Sequence, residues 1–276
     1  MIEGVLKLKN GTKISSVRVN WKEYFWVVVR ALITLLASTG QRKSEALQPD
    51  GIQWDRTFAC RAQIMWNMNG KWVADPSTAQ LNSLKRGDFM IWIPGSSKAD
   101  WSGLKWAPQP VPMKWDADAV INAPAAMARM ELMFPCHGAD RDVTPLFTTQ
   151  QGKEFPMRFS NVEKLLRPML VATGLVSKAR SKEYSWHSFR IWLASALHAM
   201  GVEDWQIQHH LRWATPRMLQ VYARKCQVVQ ADMLEQVLLA APDVSTVQTS
   251  NLPVTDDYGV GINLQPLIAA LESIRV

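Results

Sequence analysis

The sequence predicts a mainly α domain with a small antiparallel β-sheet inserted after its first long helix (α+β). Three observations carry this. "YFWVVVRALITLLAS" is a continuous apolar run of helical length, too short for a membrane span and interrupted by Arg30, so it reads as a buried core helix. "RAQIMWNMNGKW" alternates apolar and polar residues and turns at Asn69-Gly70, a hairpin signal. Beyond about residue 116 the periodicity becomes helical.

The elements follow in order. Residues 1–18 read as a strand or an irregular lead-in, and Asn20 as the cap of a helix from about Trp21 to Ser38. Gly40 ends that helix, and a new turn begins near Ser44. After the hairpin, "DFMIWIP" is a short apolar strand, "GSSKADWSGLKWAPQP" a polar loop and "VPMKW" another strand. Helices are predicted near 117–132, 158–173, 188–200, 203–211, 216–224 and 229–241, with a last short one over 263–274. In "YSWHSFRIWLASALHAMG" the residues from Ile191 to Ala199 read as core, closed by Gly201. The expected organisation is a lead-in at 1–19, a domain over 20–241, and a linker with a C-terminal helix at 242–276. No internal repeat or low-complexity tract interrupts it.

The bulk composition is that of a folded protein, 47% hydrophobic and 20% charged. The net charge is +7 and the isoelectric point about 9.4. Residues 227–276 hold one Arg against six acids, a net of −5, which leaves +12 on the first 226. A basic body favours polyanionic partners, nucleic acid above all, although charge alone reads equally well as a solubility device. Cys60, Cys136 and Cys226 are odd in number and far apart, with no CxxC or Cys/His ligand spacing. A disulfide framework and a structural zinc site are therefore not expected, and a reducing compartment is. Residues 1–18 lack an apolar core, so no secretory leader is expected. No GxGxxG, P-loop, HExxH or GxSxG occurs.

What remains is a dispersed set of polar residues at chain breaks. Arg42 and Glu45 follow the "TG" that ends the apolar helix; alone, Arg42 reads as an arginine complementing a helix C-terminus. Lys98 lies in the loop "GSSKADWSG" between two strands, where a lysine is ordinarily just solvated. His187 and Arg190, three apart, share one face of a helix's first turn. Trp213 and Tyr222 lie nine apart in "LRWATPRMLQVY", with Thr215-Pro216 marking a fresh helix start between them. His209 and His210 are adjacent, so they do not face one way on a helix, and no third metal ligand is near in sequence. Lys105, Arg212, Arg217, Arg224 and Lys225 read as phosphate-backbone contacts or plain surface charge.

Each feature is weak alone, but their order is specific. "STGQRKSEAL", "SSKADWSG", "HSFR" and "LRWATPRMLQVY" closely resemble, over about residues 20–226, the tyrosine recombinase (phage integrase) family and its catalytic-domain fold. The resemblance implies a site-specific recombinase that breaks and rejoins double-stranded DNA through a 3′-phosphotyrosine, using neither metal nor ATP. It implies Arg42 and Arg190 as catalytic arginines, Lys98 as the hairpin lysine, His187 as the first residue of the His-x-x-Arg box, Tyr222 as nucleophile and Glu45 as the supporting acid. Trp213 stands where many members have a second histidine and some have tryptophan, and Arg212 where the residue is often glycine. Most members also carry an N-terminal helical DNA-clamping domain of on the order of a hundred residues. Only about 20 residues precede the first predicted helix here, so that domain is expected to be absent.

The resemblance further implies a homotetramer on DNA, linked by exchange of the C-terminal helix "INLQPLIAALESI", and an intracellular, DNA-containing compartment away from membranes. Packing of that helix on its own domain is the equal alternative. Two other functions share the same residues: a DNA-binding relic that no longer cleaves, and a monomeric type IB topoisomerase.

Overall fold

The computed structural model describes residues 1–95, 109–213 and 215. Along the chain these form α1 (Ile2–Leu6), β1 (Lys13–Ile14), β2 (Val17–Arg18), α2 (Tyr24–Thr39), α3 (Lys43–Ala46), β3 (Ile64–Met68), β4 (Lys71–Val73), α4 (Thr78–Asn82), β5 (Phe89–Trp92), β6 (Val111–Lys114), α5 (Ala123–Met133), α6 (Asp140–Val143), α7 (Phe159–Glu163), α8 (Leu166–Ala172), α9 (Ser188–Ala199) and α10 (Asp204–His210). The class is mainly helical with small antiparallel sheets, as the sequence predicts. The helices expected at 216–224, 229–241 and 263–274 lie outside the described residues. So do Lys98, Lys105, Arg217, Tyr222, Arg224 and Lys225. Among the described residues no helix is long and apolar enough to cross a membrane.

The apolar run dictates the centre of the fold. From Trp26 to Ala37 every residue of α2 except Arg30 is buried, because α5, α9, α1 and β6 cover it from different sides. Arg30 reconciles its charge with this position by donating Nη1–H to the Leu6 carbonyl (2.9 Å) and lying over the Trp21 ring. The second sheet has the order β4-β3-β5-β6, all antiparallel. Its alternation works as the pattern predicts: Ile64, Trp66, Met68, Met90, Trp92, Val111 and Met113 face the core. The Asn69-Gly70 turn has both residues at positive φ (51° and 76°), as a two-residue hairpin of this hand demands.

Several boundaries depart from expectation for identifiable reasons. Residues 1–18 are a helical turn and a two-stranded hairpin, and they bury Val5, Leu6, Leu8 and Ile14 in the main core. Asn20 does not cap α2. Its side chain accepts from Lys22 N–H (3.2 Å) and donates to Glu23 (2.7 Å), closing a local turn that delays the helix to Tyr24. Asn122 caps α5 by accepting from Ala125 N–H (3.0 Å), with Pro124 in its first turn, so this helix starts later than 117. The single helix expected over 158–173 is two, α7 and α8. Pro168 fits the first turn of α8, where its missing N–H costs no bond. From Ile191 onward only Ala194 of α9 is fully buried, and Trp192 is 41% exposed. The helix joins the main core through Phe189 and, through Ala194, forms a separate small cluster with Ile207, Leu211 and Trp213.

A buried ion network missed by the sequence reading fixes the far side of α5. The Glu131 carboxylate bridges Arg61 (2.8 Å) and Arg141 (3.1 Å), and both arginines also bond backbone carbonyls, Leu146 and Cys136 among them. Removing one partner of such a network strands the others in a medium that cannot solvate them. Glu131→Ala should therefore lower unfolding free energy by roughly 3–5 kcal/mol, measured as a reduced urea midpoint at unchanged m-value.

Candidate functional site

The end of α2 is where four chain segments meet. Gly40 caps the helix in the left-handed region (φ 61°, ψ 14°) and returns its N–H to the Leu36 carbonyl (2.9 Å). Two demands require glycine there. The backbone is left-handed, and a Cβ would sit 2.3 Å from Leu211 Cδ2 and 3.1 Å from Leu193 Cδ2. The "TG" of the sequence thus marks a close approach of the loop after α2 to α9 and to the end of α10. Gln41, next in the chain, is buried and donates to the His210 carbonyl (3.3 Å).

Arg42 follows as the residue before α3. Its N–H donates to Glu45 Oε2 (2.6 Å), and its Nη1 lies 4.0 Å from Glu45 Oε1. The Arg42 side chain is 27% exposed while that of Glu45 is only 4% exposed. Glu45 has a second cation, Arg212 Nη1, at 3.6 Å. The acid that the sequence puts beside Arg42 therefore stands between two guanidiniums.

Arg212 is a correction. Expected among the phosphate-backbone contacts, it is 1% exposed, with positive φ (54°), and donates Nη2–H to the Gly95 carbonyl (2.8 Å). Its burial follows from the turn after α10, which directs the side chain inward to Glu45. Glu45, already fully desolvated, needs that charge.

His187 and Arg190 open α9. The His187 ring is half-buried, and its pKa is lowered from the ordinary 6.5 by that burial, then by the charges of Arg190 and Arg42. The three groups are thus electrostatic neighbours, although Arg42 and Arg190 are 148 positions apart. Arg190 is 1% exposed. Its Nη1–H donates to the Gly40 carbonyl (2.8 Å), its Nη2–H to the Leu211 carbonyl, and its guanidinium lies 5.3 Å from the Trp213 ring centroid. The two residues that share the first turn of α9 thus differ in exposure. His187 is partly open; Arg190 spends donors on two carbonyls and stacks on an indole.

Trp213, also 1% exposed, is held by exchange with Gln208: Trp213 N–H donates to the Gln208 carbonyl (3.0 Å) and Gln208 Nε2–H to the Trp213 carbonyl (3.1 Å). Its ring packs with Ala194, Ile207 and Leu211. His210 lies at the end of α10. It faces the Ser38 backbone, and burial, Arg190 and His209 lower its pKa, against the raising effect of that hydrogen bond. Among the described residues no group of three or more His, Cys, Asp or Glu side chains converges as a metal site. The structure thus brings together Arg42, Glu45, His187, Arg190 and Trp213. It adds Gly40, read in the sequence as a helix end, and Gln41, which had no signal there, and it places Arg212 and His210 in roles other than the phosphate contact and metal ligand considered for them.

Two outcomes follow from this geometry. Gly40→Ala should destabilise the fold by about 2 kcal/mol or more, from left-handed strain plus overpacking against Leu211, read as a lowered denaturation midpoint. The histidines set a pH dependence. Their folded pKa values lie below the ordinary 6.5, so the unfolded chain binds their protons more readily. Stability is complete above 6.5 and declines as pH falls from there toward the folded values. The loss of melting temperature between about pH 7 and pH 5 should shrink in a His187→Gln/His210→Gln variant.

A scan of family models and a search of curated proteins return no match to this chain. Among solved structures, the chain is similar to the XerH site-specific recombinase bound to difH substrate in a pre-cleavage complex, at 16% identity and a TM-score of 0.49, covering 88% of this chain and 52% of that one. It is similar to XerH bound to palindromic difH substrate in a post-cleavage complex, at 14% identity and 0.47, covering 87% and 51%. It is also similar to XerA recombinase, at 15% identity and 0.42, covering 80% and 62%. The chain spans about half the length of the two XerH chains.

Proposed function

We propose that this chain breaks and rejoins DNA as the catalytic domain of a site-specific tyrosine recombinase. The observation that carries the reading is the convergence of Arg42, His187 and Arg190, distant in sequence, at the Gly40 end of α2, with Glu45 holding Arg42.

In the proposed reaction Tyr222 Oη attacks a backbone phosphorus. The bond from phosphorus to the 5′-oxygen breaks, leaving a 3′-phosphotyrosine and a 5′-hydroxyl. Because the phosphodiester is exchanged for a phosphoester to tyrosine, the 5′-hydroxyl can reseal the strand without ATP. The transition state concentrates negative charge on the non-bridging oxygens, and fixed guanidiniums offset it. Arg42 and Arg190 take that role. Lys98 gives a proton to the departing 5′-oxygen, and His187 receives the tyrosine's proton. Trp213 has one N–H donor and no acid–base function; it braces Arg190. The partner is duplex DNA, and the working assembly is a homotetramer on two duplexes, linked by residues 242–276.

The burial of Arg190 favours one second reading, a protein that binds DNA without cutting it. A nicked suicide duplex decides between them. The recombinase reading expects a covalent adduct resistant to SDS, absent in Tyr222→Phe. Arg42→Ala should slow its formation by about 10²–10³-fold while leaving most DNA affinity intact. Retained binding with no adduct from the unaltered protein establishes the second reading.

A further inference from the structure

Three non-glycine residues among those described have a positive φ: Ser15, Asn69 and Arg212. The first two sit in exposed hairpin turns and are small residues suited to them. Arg212 is different. It is large, charged and fully buried, at a backbone position that glycine would occupy without strain. The side chain must supply what offsets both the strain and the burial of a guanidinium.

Its contacts indicate what that is. Nη2–H reaches the carbonyl of Gly95, three residues before Lys98, and Nη1 reaches Glu45, which holds the Arg42 backbone. The residues on either side of it in the chain serve the second arginine: the Leu211 carbonyl accepts from Arg190, and the Trp213 ring lies against it. One turn, Leu211 to Trp213, therefore touches the Arg42 turn, the Arg190 guanidinium and Gly95, just beyond the end of β5.

We propose that Arg212 is a positioning residue, which sets Arg42 through Glu45 and ties that turn to the Gly95 carbonyl. This rests on the recombinase reading for the role of Arg42, but the mechanical coupling does not. A planar, two-armed cation suits a bridge between a carboxylate and a carbonyl; a lysine ammonium on one stem does not span both in the same way.

Arg212→Gly tests it, because glycine removes the side chain and relieves the strain together. The variant should melt at a lower temperature, because buried Glu45 loses one of its two cations. Where it is folded it should bind duplex DNA within about twofold of the unaltered protein, yet exchange the Arg42 amide proton about tenfold faster relative to the amides of α2 and form the covalent adduct at least tenfold more slowly. Arg212→Lys should restore adduct formation only in part. Glu45→Gln should slow it similarly, and the double variant Arg212→Gly/Glu45→Gln should be little worse than either single, since both act through Arg42. Unchanged amide exchange in Arg212→Gly overturns the proposal, as does a double variant whose losses multiply. If the unaltered protein forms no adduct while Arg42 exchange still responds to Arg212→Gly, the recombinase reading falls and the coupling stands.

Discussion

The candidate site depends on the hydrogen bond from Arg190 to the Gly40 carbonyl. It joins the C-terminus of the central buried helix to the first turn of α9. The last carbonyls of a helix lack intrahelical partners and carry the negative end of its dipole, so a guanidinium is a suitable cap. The bond forms only because Gly40 has no side chain, which lets Leu211 and Leu193 close over it. Everything that makes the site a site follows from that approach: His187 beside Arg42, the turn after α10 beside Glu45, and Trp213 beneath Arg190.

A carboxylate shared between two arginines occurs twice in the described structure. Glu131 serves Arg61 and Arg141; Glu45 serves Arg42 and Arg212. In each case one carboxylate faces two cations, and backbone carbonyls take other guanidinium donors. The consequences differ with exposure. The Glu131 network is closed on all sides and can only stabilise or rigidify. In the Glu45 network one member, Arg42, keeps part of its guanidinium open, so the same arrangement leaves a positive charge at the surface with its backbone held. A carboxylate shared between two cations neutralises neither fully, and that residual charge is what an anionic ligand would meet.

Much of the fold was legible because it rests on period and punctuation. The apolar run gave α2, Gly40 its end, and Asn69-Gly70 the hairpin, since each depends on residues within one or two turns of one another. Where Asn20 or Pro168 had a choice of local partners, boundaries shifted by several residues, because side-chain turns compete with helix starts on nearly equal terms. The site divided the same way. Arg42, Glu45, His187 and Arg190 were found through their order along the chain. The inward turn of Arg212 was not, because nothing local distinguishes an arginine bound for Glu45, 167 positions earlier, from one bound for solvent. The Glu131 network was invisible for the same reason: its members are spread over three separate elements.

The electrostatics of His187 bear on which direction a proton travels in the proposed reaction. An imidazole near 6.5 would be divided between its two forms not far below neutrality. Here burial and two neighbouring guanidiniums all disfavour the charged form, so the ring keeps its neutral form to lower pH than an ordinary imidazole. A neutral imidazole is a competent acceptor for a phenolic proton and a poor donor to a departing oxygen. In the proposed reaction a phosphate held among the same arginines would offset the cations that hold the pKa down, and the ring would become more basic with substrate present. His187 would then suit acceptance of the nucleophile's proton, and the proton for the leaving 5′-oxygen would come from a different group, the role proposed for Lys98.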